Sequence, residues 1–178
     1  MSGTQLKIRP IEPADEPAMA RIIRTVMPTF GAVGPGFAIN DPEVDFMYRA
    51  YQRPGAAFFV IEATRPDGST EVVGGGGVAP LDGSQADERM CELRKMYFLP
   101  EARGQGMGAK LLGHCLRLAR ELGYRTCYLE TLEVMEQAIR LYDRFGFERL
   151  SCQLGHTGHH SCDRYYARSL EDLSNLPA

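Results

Sequence analysis

The spacing of apolar and polar positions along this 178-residue chain changes repeatedly, and each change marks an element. Residues 6–11 read as a short strand. Pro13-Ala14-Asp15-Glu16 then predicts a helix start, with Asp15 as cap and Pro17 in the first turn; Ala18, Ile22, Ile23 and Val26 form its apolar face and Pro28 ends it. Residues 31–42 are rich in glycine and proline, the composition of a mobile loop. Val44, Met47, Tyr48 and Tyr51 then follow helical spacing, so residues 42–51 are expected to be helical. Residues 56–63 and 71–80 read as strands joined by a Pro66-Asp67-Gly68 turn. The second strand contains four consecutive glycines, Gly74 to Gly77, which point to a bulge or to close approach of a backbone or ligand.

Residues 81–89 are a polar loop, and residues 91–99 a further strand. A helix is predicted over residues 105–122, with Gly108, Leu111, Leu112, Cys115, Ala119 and Leu122 as its buried stripe and Gly123 as its stop. Residues 126–132 form a strand, 135–145 a helix ended by Gly146, 147–153 a strand, and 163–169 a last strand antiparallel to it. No repeat, low-complexity tract or linker divides the chain, so residues 1–178 are expected to fold as one domain.

Composition narrows the functional classes. A net charge of −3 and a pI near 5.8 argue against nucleic acid, whose phosphates call for a basic face. The N-terminal residues carry no apolar signal region, and no apolar run approaches the ~20 residues of a membrane span. Five widely spaced cysteines, Cys91, Cys115, Cys127, Cys152 and Cys162, fit a reduced, cytoplasmic protein.

The densest chemical signal is Arg103-Gly104-Gln105-Gly106-Met107-Gly108, set between a strand and an apolar-periodic helix. Alternating glycines let backbone amides turn toward one point, and with the helix N-terminus and the Arg103 guanidinium they suit a pyrophosphate. A dinucleotide fingerprint is also satisfied, by Gly104-x-Gly106-x-x-Ala109 with Glu130 some twenty residues on. Against it, Pro100-Glu101-Ala102-Arg103 separates the strand from the glycines, and the strand carries Glu92, Arg94 and Lys95 rather than an unbroken apolar run. A P-loop fails for want of Gly-Lys-Ser/Thr.

Arg103-x-x-Gly106-x-Gly108 resembles the Q/R-x-x-G-x-G/A signature of the GNAT (N-acetyltransferase) superfamily, which binds acetyl-CoA. Glu92 to Pro100 looks like the strand before that signature, and Ala138-Ile139-Arg140-Leu141-Tyr142-Asp143-Arg144-Phe145-Gly146-Phe147 like the family's A-x-x-L-Y-x-x-x-G-F helix. The resemblance covers residues 90–150 and departs at Met135, where many members have an asparagine that contacts the cofactor. It implies a GNAT fold, an α/β domain with a twisted, mixed, mainly antiparallel sheet flanked by helices. It further implies acetyl-CoA as co-substrate and an amine acceptor, small molecule or peptide, with no metal required. A homodimer is allowed; the sequence selects neither the oligomeric state nor the acceptor.

The same resemblance assigns roles. Backbone groups of Met96 and Phe98 would pair with pantetheine, with Tyr97 between them in the cofactor site, and Arg103, Gly104, Gln105, Gly106, Met107 and Gly108 would hold the pyrophosphate. Lys110, Arg117 and Arg120 read from the helix pattern as a solvated face from which Lys110 could approach the outer phosphate. Tyr142 would be the acid for the leaving thiolate; spacing alone favours a core aromatic of the stripe Ala138, Leu141, Tyr142, Phe145. Glu92 is the candidate base for the amine, or else a surface carboxylate paired with Arg94. Asp41, Glu43 and Asp45 would either attract the amine or be ordinary exposed acids. Cys152, His156, His159, His160 and Cys162 lack a C-x-x-C pair; they form a zinc site, a loop lining the acceptor, or plain surface.

Overall fold

In a computed structural model, which describes residues 3–177, the chain forms one seven-stranded sheet with helices on both faces. The strands are β1 (Gln5–Pro10), β2 (Ala57–Thr64), β3 (Thr70–Pro80), β4 (Met90–Phe98), β5 (Thr126–Thr131), β6 (Glu148–Leu150) and β7 (Arg164–Ser169). The helices are α1 (Glu16–Val26), α2 (Met47–Ala50), α3 (Met107–Glu121) and α4 (Glu136–Arg144). Strand order is β1-β2-β3-β4-β5-β7-β6, and every neighbouring pair is antiparallel except β4 and β5. The expected mixed, mainly antiparallel fold is therefore the one observed. No helix among the described residues is long and apolar enough to cross a membrane.

Strand β2 shows how the two faces are built. Its side chains alternate, so Phe58 and Val60 pack with Met19, Ile22 and Ile23 of α1, while Phe59 and Ile61 join Leu111, Leu112 and Leu116 on the α3 face. Both sets are buried, which fixes the register of the strand, because a one-residue slip would exchange them.

The four glycines of β3 let the sheet close around a kink. A Cβ at Gly74 would stand 2.6 Å from the Phe98 ring, and one at Gly75 would meet the Phe59 carbonyl at 2.8 Å. Opposite them β4 bulges: Gly75 pairs with Tyr97 and Gly77 with Arg94, and Lys95 takes the left-handed φ of 52°. The bulge turns the second half of β4 away from β5. Only Met90, Cys91 and Glu92 pair with β5, opposite Thr126, Cys127 and Tyr128, and from there the two parallel strands separate.

Several elements differ from their sequence expectations. Residues 42–51 are two short pieces, a 3-10 turn at Pro42–Asp45 and α2, interrupted at Phe46 with φ −142° and ψ 50°. The break lets Glu43 reach Arg94 and Lys95 while Val44 and Met47 stay buried. The segment expected to be mobile is tied down: Ser161 donates its Oγ–H to the Pro35 carbonyl and its N–H to Gly36, and Asp41 is held by Lys95 and His159. Asp15 does not cap α1 through its side chain; its buried carboxylate accepts the Glu12 N–H at 2.8 Å and two hydrogen bonds from Arg9. Leu122 lies exposed beyond α3 rather than in its buried stripe. β6 is shorter than its pattern, since Gln153 leaves the ladder to donate to Glu130 and Thr157.

Candidate active site

The separation of β4 from β5 opens two adjoining cavities. The larger, about 440 Å³, is bounded by the end of β4 at Met96, Tyr97 and Phe98, by Arg103, Gly104 and Gly106, and by Met107 and Gly108 at the start of α3. Its opposite wall is α4, with Ala138, Leu141 and Tyr142, preceded by Met135. Thus eight of the nine expected cofactor residues meet at one place. The ninth, Gln105, turns its amide back to the Glu101 carbonyl at 2.7 Å and supplies the loop's conformation rather than its lining.

Gly104 and Gly106 adopt φ of 72° and 74°, values that other residues reach only at a cost. A Cβ on either would meet nothing within 4 Å, so packing is not what requires glycine; the space before the loop amides stays open. Gly106 is the N-cap of α3 and no side chain caps that end, leaving the first-turn N–H groups free to receive an anion. The Arg103 guanidinium was expected to face the same anion. Here it donates instead to the Phe98 carbonyl, from Nε at 3.0 Å and Nη2 at 2.8 Å.

Tyr142 is nearly buried, its ring packed against Phe147 and Tyr166 at centroid distances of 5.8 and 6.4 Å. Both sequence readings therefore describe it: it is a core aromatic and it also lines the larger cavity. Burial drives its phenol well above the ordinary range, so it holds its proton through neutrality.

The smaller cavity, about 50 Å³, lies between β4 and β5 just past their last shared pair, and Tyr97 and Met135 wall both cavities. Glu92 lines it and is 2% exposed, which rules out the surface carboxylate weighed from the sequence. Burial pushes the Glu92 carboxyl up to about 7, against the opposing pull of Arg94 and His159. Its Oε2 lies 3.4 Å from Arg94 Nε but is not aligned for a hydrogen bond, and it has no partner.

Asp41 and Glu43 are neither exposed nor open to a ligand. Lys95 Nζ contacts both, and Arg94 Nη2 lies 3.1 Å from Glu43. Burial raises the Asp41 carboxyl, but the hydrogen bonds from His159 and Lys95 outweigh it and hold the group below the usual range. Asp45 is exposed and pairs with Arg24, away from the site.

The histidine and cysteine cluster disperses. Cys152 is exposed, His156 is held through its N–H to the Asp82 carbonyl, and His160 lies against Gly36. Only His159 and Cys162 reach the smaller cavity, Cys162 with its thiol pushed up to about 12 by burial. Among the described residues no three or more histidine, cysteine or carboxylate side chains are grouped to hold a metal ion. Glu130 was weighed in the sequence only as a ribose acid; it lines the smaller cavity beside Glu92 and His159. Its signal was the period of β5, which puts Tyr128 and Glu130 on one side of the strand.

A glycine loop at a helix N-terminus, beside a strand whose neighbour diverges, lines a cleft against β4, with ionisable groups at the point of divergence. The sequence profile of the Acetyltransferase (GNAT) family matches residues 21–147, and the chain belongs to that family of acyltransferases. It is 45% identical over 157 residues to the uncharacterized N-acetyltransferase YjgM of Escherichia coli (strain K12), covering 88% of this chain and 90% of that one. Among solved structures, a GNAT-family acetyltransferase of Staphylococcus aureus Mu50 superposes with a TM-score of 0.73 at 20% identity, over 94% of this chain and all of the other. YncA of Salmonella typhimurium, solved with its cofactor acetyl-CoA, gives a TM-score of 0.70 at 21% identity, over 94% and 95% of the two chains.

Proposed function

We propose that the protein transfers an acetyl group from acetyl-CoA directly to an amine while both are bound. The single observation that carries this reading is the juncture of the two cavities at Tyr97 and Met135, with Tyr142 on one side and Glu92 on the other. The larger cavity suits the cofactor. Its open amides and left-handed glycines fit a pyrophosphate, and the half of β4 that β5 leaves unpaired offers backbone groups of Met96 to Phe98 to pantetheine, apart from the Phe98 carbonyl that Arg103 occupies.

An amine of pKa ~8–10 enters mostly protonated at neutral pH and must lose a proton before it can attack. Glu92, with a carboxyl poised at about 7, accepts that proton. The nitrogen then bonds to the thioester carbonyl carbon, an N–H of β4 stabilises the oxyanion, and the carbon–sulfur bond breaks. Tyr142 protonates the departing thiolate; the acylated nitrogen gives its surplus proton back to the Tyr142 oxygen and Glu92 releases its own to solvent, which leaves the amide and free coenzyme A with both side chains restored. No side chain carries the acetyl group.

A panel of amines with acetyl-CoA, following free thiol and the mass of the product, tests the activity. Initial rates at varied concentrations of both substrates are expected to give intersecting double-reciprocal lines. Parallel lines, with acetylated protein recovered in the absence of amine, would replace direct transfer by an acetyl-enzyme.

A further inference from the structure

The ionic groups around the smaller cavity do not balance. Four carboxylates, those of Asp41, Glu43, Glu92 and Glu130, gather there against two fixed cations, Arg94 and Lys95. Lys95, whose side chain is 1% exposed, spends its charge on Asp41 and Glu43. Arg94 lies closest to Glu43 at 3.1 Å and is shared with Glu92 at 3.4 Å and Asp41 at 3.9 Å, while the half-exposed Asp82 at 4.0 Å adds further negative charge. Among the described residues Glu130 has no cation within salt-bridge distance apart from a protonatable histidine at 4.0 Å. A buried negative surplus of this kind calls for a cation from outside.

Three unengaged acceptor atoms point to where that cation belongs. Glu130 Oε1 is saturated by the Tyr128 and Thr157 hydroxyls and the Gln153 amide, all at 2.8–2.9 Å, while Oε2 is buried and unpartnered. Glu92 accepts no hydrogen bond from the described residues: Oε2 is buried beside Arg94 Nε at 3.4 Å, and Oε1 is the oxygen nearer His159. His159 Nε2 lies 2.9 Å from Asp41 Oδ2; with Asp41 ionised, Nε2 carries a proton and donates, and in the neutral imidazole Nδ1 is then an acceptor. That Nδ1 stands 3.8 Å from Glu92 Oε1 and 4.0 Å from Glu130 Oε2, too far for direct hydrogen bonds. The gaps on either side of Nδ1 are of the size that one interposed small donor bridges.

We propose that Glu92, Glu130 and His159 form a three-acceptor cradle for the ammonium of the acceptor, and that the acceptor is a slender primary alkylamine. The assignment rests on the acetyl-transfer reading above and names its substrate class. A primary ammonium has three N–H donors and one positive charge, which match three acceptors and the surplus. The limited volume of about 50 Å³, walled by Met27, Phe37 and Leu132, suits an unbranched alkyl group next to the nitrogen. An N-methyl group would replace one donor and leave a buried carboxylate oxygen unpaired. Asp41 acts through His159, by fixing its tautomer, and is a positioning residue.

The test compares n-propylamine with N-methylpropylamine in acetyl-CoA-dependent thiol release, for the wild-type protein and Glu130→Gln. The wild type is expected to favour the primary amine by about a hundredfold in kcat/KM, the scale of an unpaired buried charged group. Glu130→Gln is expected to raise the KM for n-propylamine about tenfold or more, with the loss falling on KM rather than kcat and with KM for acetyl-CoA unchanged. Equal use of the two amines by the wild type, or an unaltered amine KM in the variant, overturns the cradle. The wild-type comparison stands even if the variant fails to fold. If neither amine is acetylated while another amine of the panel is, the alkylamine assignment is overturned; if no amine of the panel is acetylated, the transfer reading has failed and binding decides the cradle separately. In nitrogen-15 NMR, n-propylammonium chloride should then move the His159 imidazole resonances and tetramethylammonium chloride at equal ionic strength should not. Identical responses to the two salts, or none, reject it.

Discussion

Glu92 and Tyr128 are the last residues of β4 and β5 that stand opposite one another, and both cavities open just beyond them. The bulge at Lys95 and the glycines facing it in β3 turn the rest of β4 outward, so the base candidate sits where the sheet begins to open. A carboxylate placed there is enclosed by both strands and by the loop carrying His159, which is why its proton affinity rises.

That placement predicts a pH profile. As pH rises through about 7, Glu92 loses its proton and becomes competent as a base, so kcat/KM for an amine should climb across that range. Glu92→Gln should lower kcat/KM by about a hundredfold or more and remove the limb belonging to this carboxyl. A variant that keeps both the rate and the limb assigns the base elsewhere.

The same burial has a cost in stability whose sign is set by the raised value. Folded Glu92 binds its proton more tightly than the unfolded chain, so the penalty is absent below pH 4.5, grows between 4.5 and about 7, and is fully present above that. Its size at pH 8 is about 3 kcal/mol. Glu92→Gln removes the charge while Arg94 keeps Glu43 at 3.1 Å, so the variant should melt several degrees higher than wild type at pH 8. The gap should close as pH falls toward 5. Melting curves that run parallel across this range contradict the burial account.

Tyr142→Phe separates the acid from the core aromatic. The phenol makes no hydrogen bond to the described residues, and a phenylalanine preserves the packing on Phe147 and Tyr166. Melting temperature and acetyl-CoA affinity should therefore stay near wild type, while kcat falls by about a hundredfold. If turnover is unchanged, Tyr142 serves packing alone.

Much of this arrangement was legible in the chain, for reasons that differ by residue. The strands, α3 and α4 follow from short-range period, and the glycine loop declares itself because φ near 70° at Gly104 and Gly106 is a local demand. The cleft was not legible, because residues 93–98 and 126–132 both read as ordinary strands and nothing local says that they pair for only three residues. Glu130 and His159 were harder still. One sits in a strand and the other in a loop, and only the tertiary fold brings His159 Nδ1 to Glu92 and Glu130. Asp41 was hidden by composition, since a glycine- and proline-rich segment reads as mobile unless one knows that Lys95 and His159 anchor it.

Gly106 offers the sharpest test of the cofactor loop, because the fold supplies its own control. Gly106, before α3, and Gly123, just past its other end, both hold left-handed φ, 74° and 92°, and at neither would a Cβ meet anything within 4 Å. Alanine at either position therefore pays the same kind of backbone strain, about 1–2 kcal/mol, without a clash in the protein. Each substitution should lower the melting temperature by only a few degrees. Gly106 lines the larger cavity at the helix N-terminus and Gly123 does not, so only Gly106→Ala places a methyl group where the pyrophosphate must approach the amides. Gly106→Ala should raise KM for acetyl-CoA about tenfold or more, while Gly123→Ala leaves it unchanged at a similar loss of stability. Equal KM values in the two variants would mean that the loop's glycines shape the chain alone and that the phosphate is held elsewhere.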